Sequence, residues 1–400
     1  MEGLDSEGNP LLTLPRPIVD ALFESAGREA GEAKARILRL RAKLKGLKGL
    51  FEFEGLGDGR RGLVVVADGS MSMVPSDRIG SSFAIYTAGY MAFEGDRMID
   101  EEYSAGSLSW ADGGRRAFGT LLRLLMANAE REAALEADRR HGPDLILVDG
   151  PFFYFRGHCR YIRGIELGVE GLESGSDLVE AVRDKTLRLM EGGRALAAIR
   201  RSALRAIDGW LIYNRGEGAR LGTSDKHILT MVMPPGALWS YRQALGGDPL
   251  LFASFYRFYR RRRGEGRSAE ELEGIKGDIL EQCARDWENK FERDLGMGRP
   301  PGLERFYVRY GPGSPPFEVE APRGLRVREC AEYFIDFHNP ATGLPWPMDL
   351  IDDAVGLPRG STTAFAEEVE ARLVGDEEIG DKSAISDYFA PLNPQKREFA

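Results

Sequence analysis

The chain has 400 residues, 42% of them hydrophobic and 29% charged, an ordinary balance for a globular protein of one elaborated domain or two. That balance excludes wholesale disorder. The three cysteines (Cys159, Cys283, Cys330) share no CxxC spacing and the four histidines (His141, His158, His227, His338) share no HExxH spacing, which excludes a disulfide scaffold, a cysteine-built zinc site and a zincin.

No apolar run approaches the ~20 residues of a membrane helix, and the acidic opening MEGLDSEGNPLL lacks the basic region of a signal peptide. The expectation is a cytoplasmic protein. A net charge of −9 looks wrong for a nucleic-acid binder, but phosphate binding needs only a local basic surface. Two runs are basic, Lys34 to Lys45 and Arg257 to Arg267. Composition leaves open whether they are solvated, salt-bridged helix segments or phosphate-facing ones.

Residues 17 to 50 read as a helix: Pro17 suits a first turn, and Ile37, Leu40, Leu44 and Leu47 fall on one stripe. The loop Gly55-Leu-Gly-Asp-Gly59 leads into Leu63-Val-Val-Val66, a run expected as a central strand buried on both faces. The stretch from Ser81 to Tyr90 leans toward β and is expected to pair with it. Residues 115 to 140 form a helix with Phe118, Leu121, Leu122, Leu125 and Met126 as its stripe, stopped by Gly142-Pro143. Asp144-Leu-Ile-Leu-Val-Asp149 follows as a second buried strand, and helix-then-strand is the pattern of an α/β sheet.

From Asp177 to Ala206 the chain is expected to be mostly helical, with a strand at Trp210 to Tyr213. Residues 250 to 292 read as helices outside the sheet. Phe306 to Tyr310 and Phe317 to Glu320 alternate as two strands about a Gly-Pro-Gly turn. After Gly356 the sequence is acidic and is expected to be loop-like. The expected layout is an N-terminal helical segment (1–54), a main domain (55–360) carrying a helical insertion at about 240–300, and an acidic tail (361–400).

The strongest chemical signal is a repetition. Val64-Val-Val-Ala-Asp68-Gly-Ser70 and Leu145-Ile-Leu-Val-Asp149-Gly150 each end a buried strand in Asp-Gly. Carboxyl ends of neighbouring strands in an open α/β sheet face one crevice, and two carboxylates meeting there call for a divalent cation. Asp68-Gly-Ser70-Met-Ser72 also fits the Asp-x-Ser-x-Ser pattern of von Willebrand A domains, which would make the chain a metal-dependent interaction module. That fold leads from the motif into a helix, whereas Val74-Pro75 and a β-rich stretch follow here. The competing reading is a ribonuclease H-like nuclease, with aspartates on two strands and an acidic residue on a helix.

Together these motifs resemble the NurA nucleases. The run through Asp68, the helix carrying Ala129-Glu130-Arg-Glu132, and the strand ending at Asp149 stand in that family's order. Leu221-Gly-Thr-Ser-Asp-Lys226 is similar to its Gly-(Ile/Val)-Ser-Lys segment, with one extra residue before the lysine. Gly343-Leu-Pro-Trp-Pro-Met348 is similar to its Gly-Tyr-Pro-x-Pro-Leu segment, with Leu344 in place of the tyrosine, and Asp352 follows where the family has an acidic residue or histidine. The resemblance covers roughly residues 60 to 356.

What it implies is a ribonuclease H-like fold, a mixed central sheet flanked by helices, with an N-terminal helix and helical insertions. It further implies a DNA nuclease (5′-to-3′ exonuclease and single-strand endonuclease) dependent on Mn²⁺, with Mg²⁺ as the alternative ion. Such a nuclease acts in end resection, as a homodimer with a central DNA channel docked on a hexameric HerA-type translocase. Asp68, Glu130 and Asp149 would hold the metal, with Glu132 the alternative to Glu130. Lys226 and Asp352 would complete the catalytic set. Arg260, Arg261, Arg262 and Arg263 are the candidate DNA-binding residues, beside the Lys34 to Lys48 stretch. His338 and Trp346 are read as structural.

Overall fold

The computed structural model describes residues 9–111, 115–169, 171–376, 379 and 382–392. The chain opens with α1 (Arg16–Lys45), β1 (Glu54–Gly55), β2 (Leu63–Met71), β3 (Ser76–Asp77), β4 (Ser82–Glu94), β5 (Arg97–Trp110), α2 (Arg115–His141) and β6 (Leu145–Asp149). Its middle runs through α3 (Arg156–Cys159), β7 (Glu166–Val169), β8 (Leu172–Ser174), α4 (Gly175–Glu191), β9 (Ala195–Ile199), α5 (Ala206–Arg215), α6 (Asp225–Val232), β10 (Ala237–Ser240), α7 (Tyr241–Leu245), α8 (Pro249–Gly264), α9 (Ala269–Gly274) and α10 (Lys276–Leu295). It closes with β11 (Leu303–Arg309), β12 (Phe317–Pro322), α11 (Val327–Glu332), α12 (Trp346–Val355), α13 (Ser361–Val374) and α14 (Lys382–Phe389).

One mixed sheet organises these elements, in the order β1-β10-β11-β12-β9-β6-β2-β4-β3 with β5 paired to β4. Its centre is parallel, β2 beside β6 and β6 beside β9, and its wings are antiparallel. Alternation along the strands divides the core into two layers. Val65, Ala67, Ile146, Val148, Ala195 and Ala197 pack under α2 and α4, with Leu121, Leu125, Leu178 and Val182. Val64, Val66, Leu145, Leu147, Leu196 and Ala198 face the opposite way, against Ala331, Met348 and Ile351 of α11 and α12. The fold class expected from the sequence, a mixed central sheet flanked by helices, is the one observed. No helix among the described residues is long and apolar enough to cross a membrane.

Three local expectations are corrected. Ala195-Leu-Ala-Ala-Ile199, expected as helix, is the fully buried strand β9. Its alanines favour helix intrinsically, but α4 ends at Glu191 with Gly192 as its cap, Gly193 follows at φ +66°, and the next residues fill the slot between β6 and β12. Trp210 to Tyr213, expected as strand, lies inside α5, where Ile207 and Leu211 bury one helical face. The segment after Gly356 is helical: Ala366 of α13 and Ile385 and Phe389 of α14 bury against Phe83 of β4. Residues 393–400 of the expected tail lie outside the described residues.

The helical layer beside the sheet's far wing depends on a close approach. A Cβ on Gly209 of α5 would sit 2.0 Å from the carbonyl oxygen of Phe252 in α8. Gly209→Ala must therefore part the two helices, and urea unfolding is expected to show a loss of about 1–3 kcal/mol; an unchanged midpoint would contradict this packing.

Candidate active site

The register of the three parallel strands builds the site. Ala67 of β2 stands opposite Val148 of β6, so Asp68 and Asp149 are neighbours on one face. Asp149 in turn stands opposite Ala198 of β9, and two residues further on, on the same face by the period of a strand, comes Arg200. Its guanidinium spans the gap. Nε and Nη2 donate to the two oxygens of Asp149 at 2.9 and 2.8 Å, and Nη2 reaches Asp68 Oδ2 at 3.3 Å. From α12, which packs on the face of β2 that carries Val64, Val66 and Asp68, Asp352 joins at 2.9 Å from Nη1 and 3.1 Å from Nη2.

Glu130 approaches from the third direction, on α2. The helix lies close because Gly69 has no side chain: a Cβ there would meet Met126 Cγ at 3.1 Å and Glu130 Cβ at 3.4 Å. Glu130 is 2% exposed and accepts a hydrogen bond from Arg131. Burial pushes its carboxyl up to about 7, against the pull of Arg131 and with Asp149 adding to the rise.

Asp68, 2% exposed, is pushed up to about 9 by burial and by the charges of Asp149 and Glu130, with Arg200 and the Gly69 amide opposing. One guanidinium thus serves Asp68, Asp149 and Asp352, and the rise at Asp68 comes first from its burial and then from its carboxylate neighbours. Asp352 itself is held below its usual range by Arg200.

Lys226 lies on α6, one hydrogen bond from this centre. Its half-buried ammonium donates to the carbonyl oxygen of Arg200 at 2.7 Å, and burial lowers its pKa. The residue inserted before it, Asp225, is fully buried and accepts from the amides of Ala206 (2.7 Å) and Ile207 (3.1 Å) and from the Tyr241 hydroxyl (2.8 Å). The insertion is thus a cap that ties the start of α5 to α6 and sets the lysine's position.

Asp68, Glu130, Asp149, Lys226 and Asp352 therefore meet in one region. Glu132 does not join them: it pairs with Arg139 and Lys185, both at 2.9 Å. Asp349 accepts from Asn339 and Thr342 at the start of α12. Leu344 is core, Trp346 packs edge-on to Phe93, and His338 sits against Tyr310 and Ser314. Arg260 to Arg263 form the last turn of α8, where they share two glutamates, Glu217 and Glu265.

The interaction-module reading of Asp68-Gly-Ser70-Met-Ser72 is overturned: β2 runs on to Met71 and the chain enters the β3–β4 hairpin, with Ser72 accepting from the Ile85 amide at 3.1 Å. Arg200 is the residue that sequence reasoning missed. Reading Ala195–Ile199 as a third buried strand would have put it at the same crevice as the aspartates.

Among the described residues no three Asp, Glu, His or Cys side chains stand ready-made around one metal ion. The guanidinium of Arg200 lies where Asp68, Asp149 and Asp352 converge and holds them at hydrogen-bond rather than ligand distance. The donor set nevertheless fits a hard divalent ion, being all oxygen and already gathered around a cation.

No protein-family model matches the sequence, and no curated protein matches it. Among solved structures the chain is similar to the NurA nuclease from Sulfolobus solfataricus, with 15% identity and a TM-score of 0.54 over 92% of this chain and 100% of that one. A second NurA structure gives 11% identity and a TM-score of 0.44 over 93% and 100% of the two chains. A third, NurA bound to dAMP and manganese, gives 12% and 0.38 over 92% and 99%. The fold is a ribonuclease H-like α/β fold. More particularly, it is NurA-like over nearly the whole chain.

Asp225→Ala would strand two buried amides and a hydroxyl, each worth about 1–3 kcal/mol when left unsatisfied. Chemical denaturation is expected to show a loss of at least about 3 kcal/mol; a loss no larger than an exposed surface substitution gives would refute the capping role.

Proposed function

We propose that this chain is a divalent-metal-dependent DNA nuclease. The observation that carries the reading is the convergence of Asp68, Asp149 and Asp352 on one cation position at the ends of adjacent parallel strands, with Glu130 beside them. Carboxylates gathered in this way suit Mn²⁺ or Mg²⁺. Asp68, Asp149 and Glu130 would hold the metal. When bound, such ions supply an activated water and neutralise charge on a phosphodiester.

The chain's own residues have separable tasks in this reading. Asp68, at the buried floor, fixes the position of the charge centre. Asp149 and Asp352 set its width from a strand end and a helix. Lys226 acts through Arg200, by holding the backbone carbonyl of the residue whose side chain enters the site. The unit that works is proposed to span residues 55–360, with α1 preceding it and the residues from 361 onward following. The likeness in motifs and fold supports extending the reading to 5′-to-3′ exonuclease and single-strand endonuclease activity in end resection, as a homodimer working with a HerA-type translocase.

The test is direct. Purified protein with Mn²⁺ is expected to degrade DNA with a free end, and EDTA to stop it. Asp68→Asn and Asp149→Asn are each expected to lower the rate by at least about 10²-fold, the scale for losing charge stabilisation of a transition state. Asp352→Ala is expected to abolish cleavage while the protein stays folded and keeps its DNA affinity. Wild-type cleavage by either aspartate variant would end the nuclease reading.

DNA is proposed to follow the end of α8, where four arginines share two glutamates and Arg261 is 61% exposed in its side chain. Arg260→Glu with Arg261→Glu should weaken DNA binding and reduce the salt slope of the affinity by about 0.9 for each phosphate no longer neutralised. Unchanged affinity would return that turn to an ordinary solvated face. Light scattering should give a dimer at micromolar concentration, and a strict monomer would remove the assembly from the proposal.

A further inference from the structure

Arg200 is neither a ligand candidate nor a surface residue, yet three carboxylates meet at it. Hydrogen bonds and ion pairs of 2.8 to 3.3 Å join its Nε, Nη1 and Nη2 to Asp68, Asp149 and Asp352. A planar fork matched to a carboxylate is the strong form of ion pair. The pairing with Asp149 has that bidentate form, and the other two aspartates lean on the same group. The guanidinium sits at the focus of the negative charge.

Two of the three carboxylates it holds, Asp68 and Asp149, are the ones proposed above to hold a divalent ion, so ion and guanidinium compete for the same oxygens. Ion–oxygen distances are about 2.0–2.6 Å, shorter than any the guanidinium keeps here, so carboxylates that close on an ion leave no room for Arg200 between them. Two cations a few ångströms apart would also repel in a buried setting. We propose that Arg200 is the resident counter-cation of this site and that a divalent ion displaces it, so the site exists in an arginine-held and an ion-held form. The inference rests on the metal-dependent reading above and deepens it.

The surroundings suit such an exchange. The backbone of Arg200 is held from behind by Lys226, whose ammonium bonds its carbonyl oxygen at 2.7 Å, and the preceding residue ends the buried strand β9. Its side chain is 26% exposed, and its partner Asp352 is 52% exposed. In the proposed exchange the guanidinium swings toward its exposed side, with Asp352 as its outer partner, while the strand end stays in place. In the arginine-held form the buried Asp68 is spared bare repulsion from Asp149, which keeps the fold intact before the ion arrives.

Two measurements on the full-length protein test this, with Mn²⁺ alone as the probe. In calorimetric titrations Arg200→Gln is expected to bind Mn²⁺ about tenfold tighter than wild type, a coupling typical of linked binding events. Arg200→Lys, which keeps the charge, is expected to stay near wild type. The metal-free Arg200→Gln protein should melt lower, and Mn²⁺ should raise its melting temperature by more than it raises the wild type's. Unchanged or weaker Mn²⁺ binding by Arg200→Gln would overturn the proposal.

The second measurement needs no variant and stands if Arg200→Gln fails to fold. Phenylglyoxal modification read by peptide mass spectrometry should find Arg200 protected without Mn²⁺ and reactive with it. Equal or lower reactivity in Mn²⁺ would overturn the proposal. If these exchange signatures appear while DNA is left intact, the nuclease reading falls and the displacement stands. If Mn²⁺ drives DNA cleavage while Arg200 stays protected, the displacement falls and the nuclease reading stands.

Discussion

Like charges in a buried space need a cation, and this fold is built around one place where that need is acute. Asp68 is almost wholly enclosed, yet it lies beside Asp149 by strand register and within the field of Glu130. In water such neighbours would repel weakly. In the interior the same repulsion is several times stronger; Arg131 answers Glu130, and a single guanidinium, that of Arg200, answers Asp68 and Asp149 together. Everything that positions the site brings carboxylates to that point or keeps Arg200 on it.

The scaffold's contribution is placement without adjustable parts. Three adjacent parallel strands deliver Asp68, Asp149 and Arg200 to one edge of the sheet, because β2, β6 and β9 are in register. Helices on opposite faces add the rest. α2 brings Glu130 from one layer of the core, made possible by the bare backbone of Gly69, and α12 brings Asp352 from the other, with Met348 and Ile351 packed beneath it. The Thr87 hydroxyl donating to the Val355 carbonyl at 2.5 Å fastens the end of α12 to β4. Both layers are close-packed, so a change in either moves a carboxylate.

What could be read from the sequence follows from where each signal is written. Asp68 and Asp149 were legible because each ends a run of β-branched or leucine residues and is followed by glycine, a local pattern for a local geometry. Glu130 and Asp352 were reached through motif order, since nothing in the charge pattern of a helix separates Glu130 from Glu132. Their difference is tertiary: one is buried against the strand, the other pairs with Arg139 and Lys185. Arg200 was missed because Ala195-Leu-Ala-Ala-Ile199 carries helical propensity and becomes a strand only between two partners. The helices after Gly356 were missed for a related reason, their acidic exposed faces outnumbering the few residues that bury.

The other buried charges of the molecule show why this cluster differs from a structural network. Glu318 and Glu320, both fully enclosed, share Arg305 at 3.0 and 2.8 Å, and Glu320 also accepts from the Phe152 amide at 2.9 Å. Asp225 is raised by burial, but three donors answer it and they hold two helices together. Asp208 likewise takes the amides of Leu221 and Gly222. In each case burial is matched by donors that belong to the fold, and such satisfied groups are architecture. Around Asp68 the neighbours that raise the carboxyl are themselves carboxylates. The cation that relieves Asp68 is Arg200, a side chain with 26% exposure. Three carboxylates that share one partly exposed guanidinium set this end of the sheet apart from the networks around Arg305, Asp225 and Asp208.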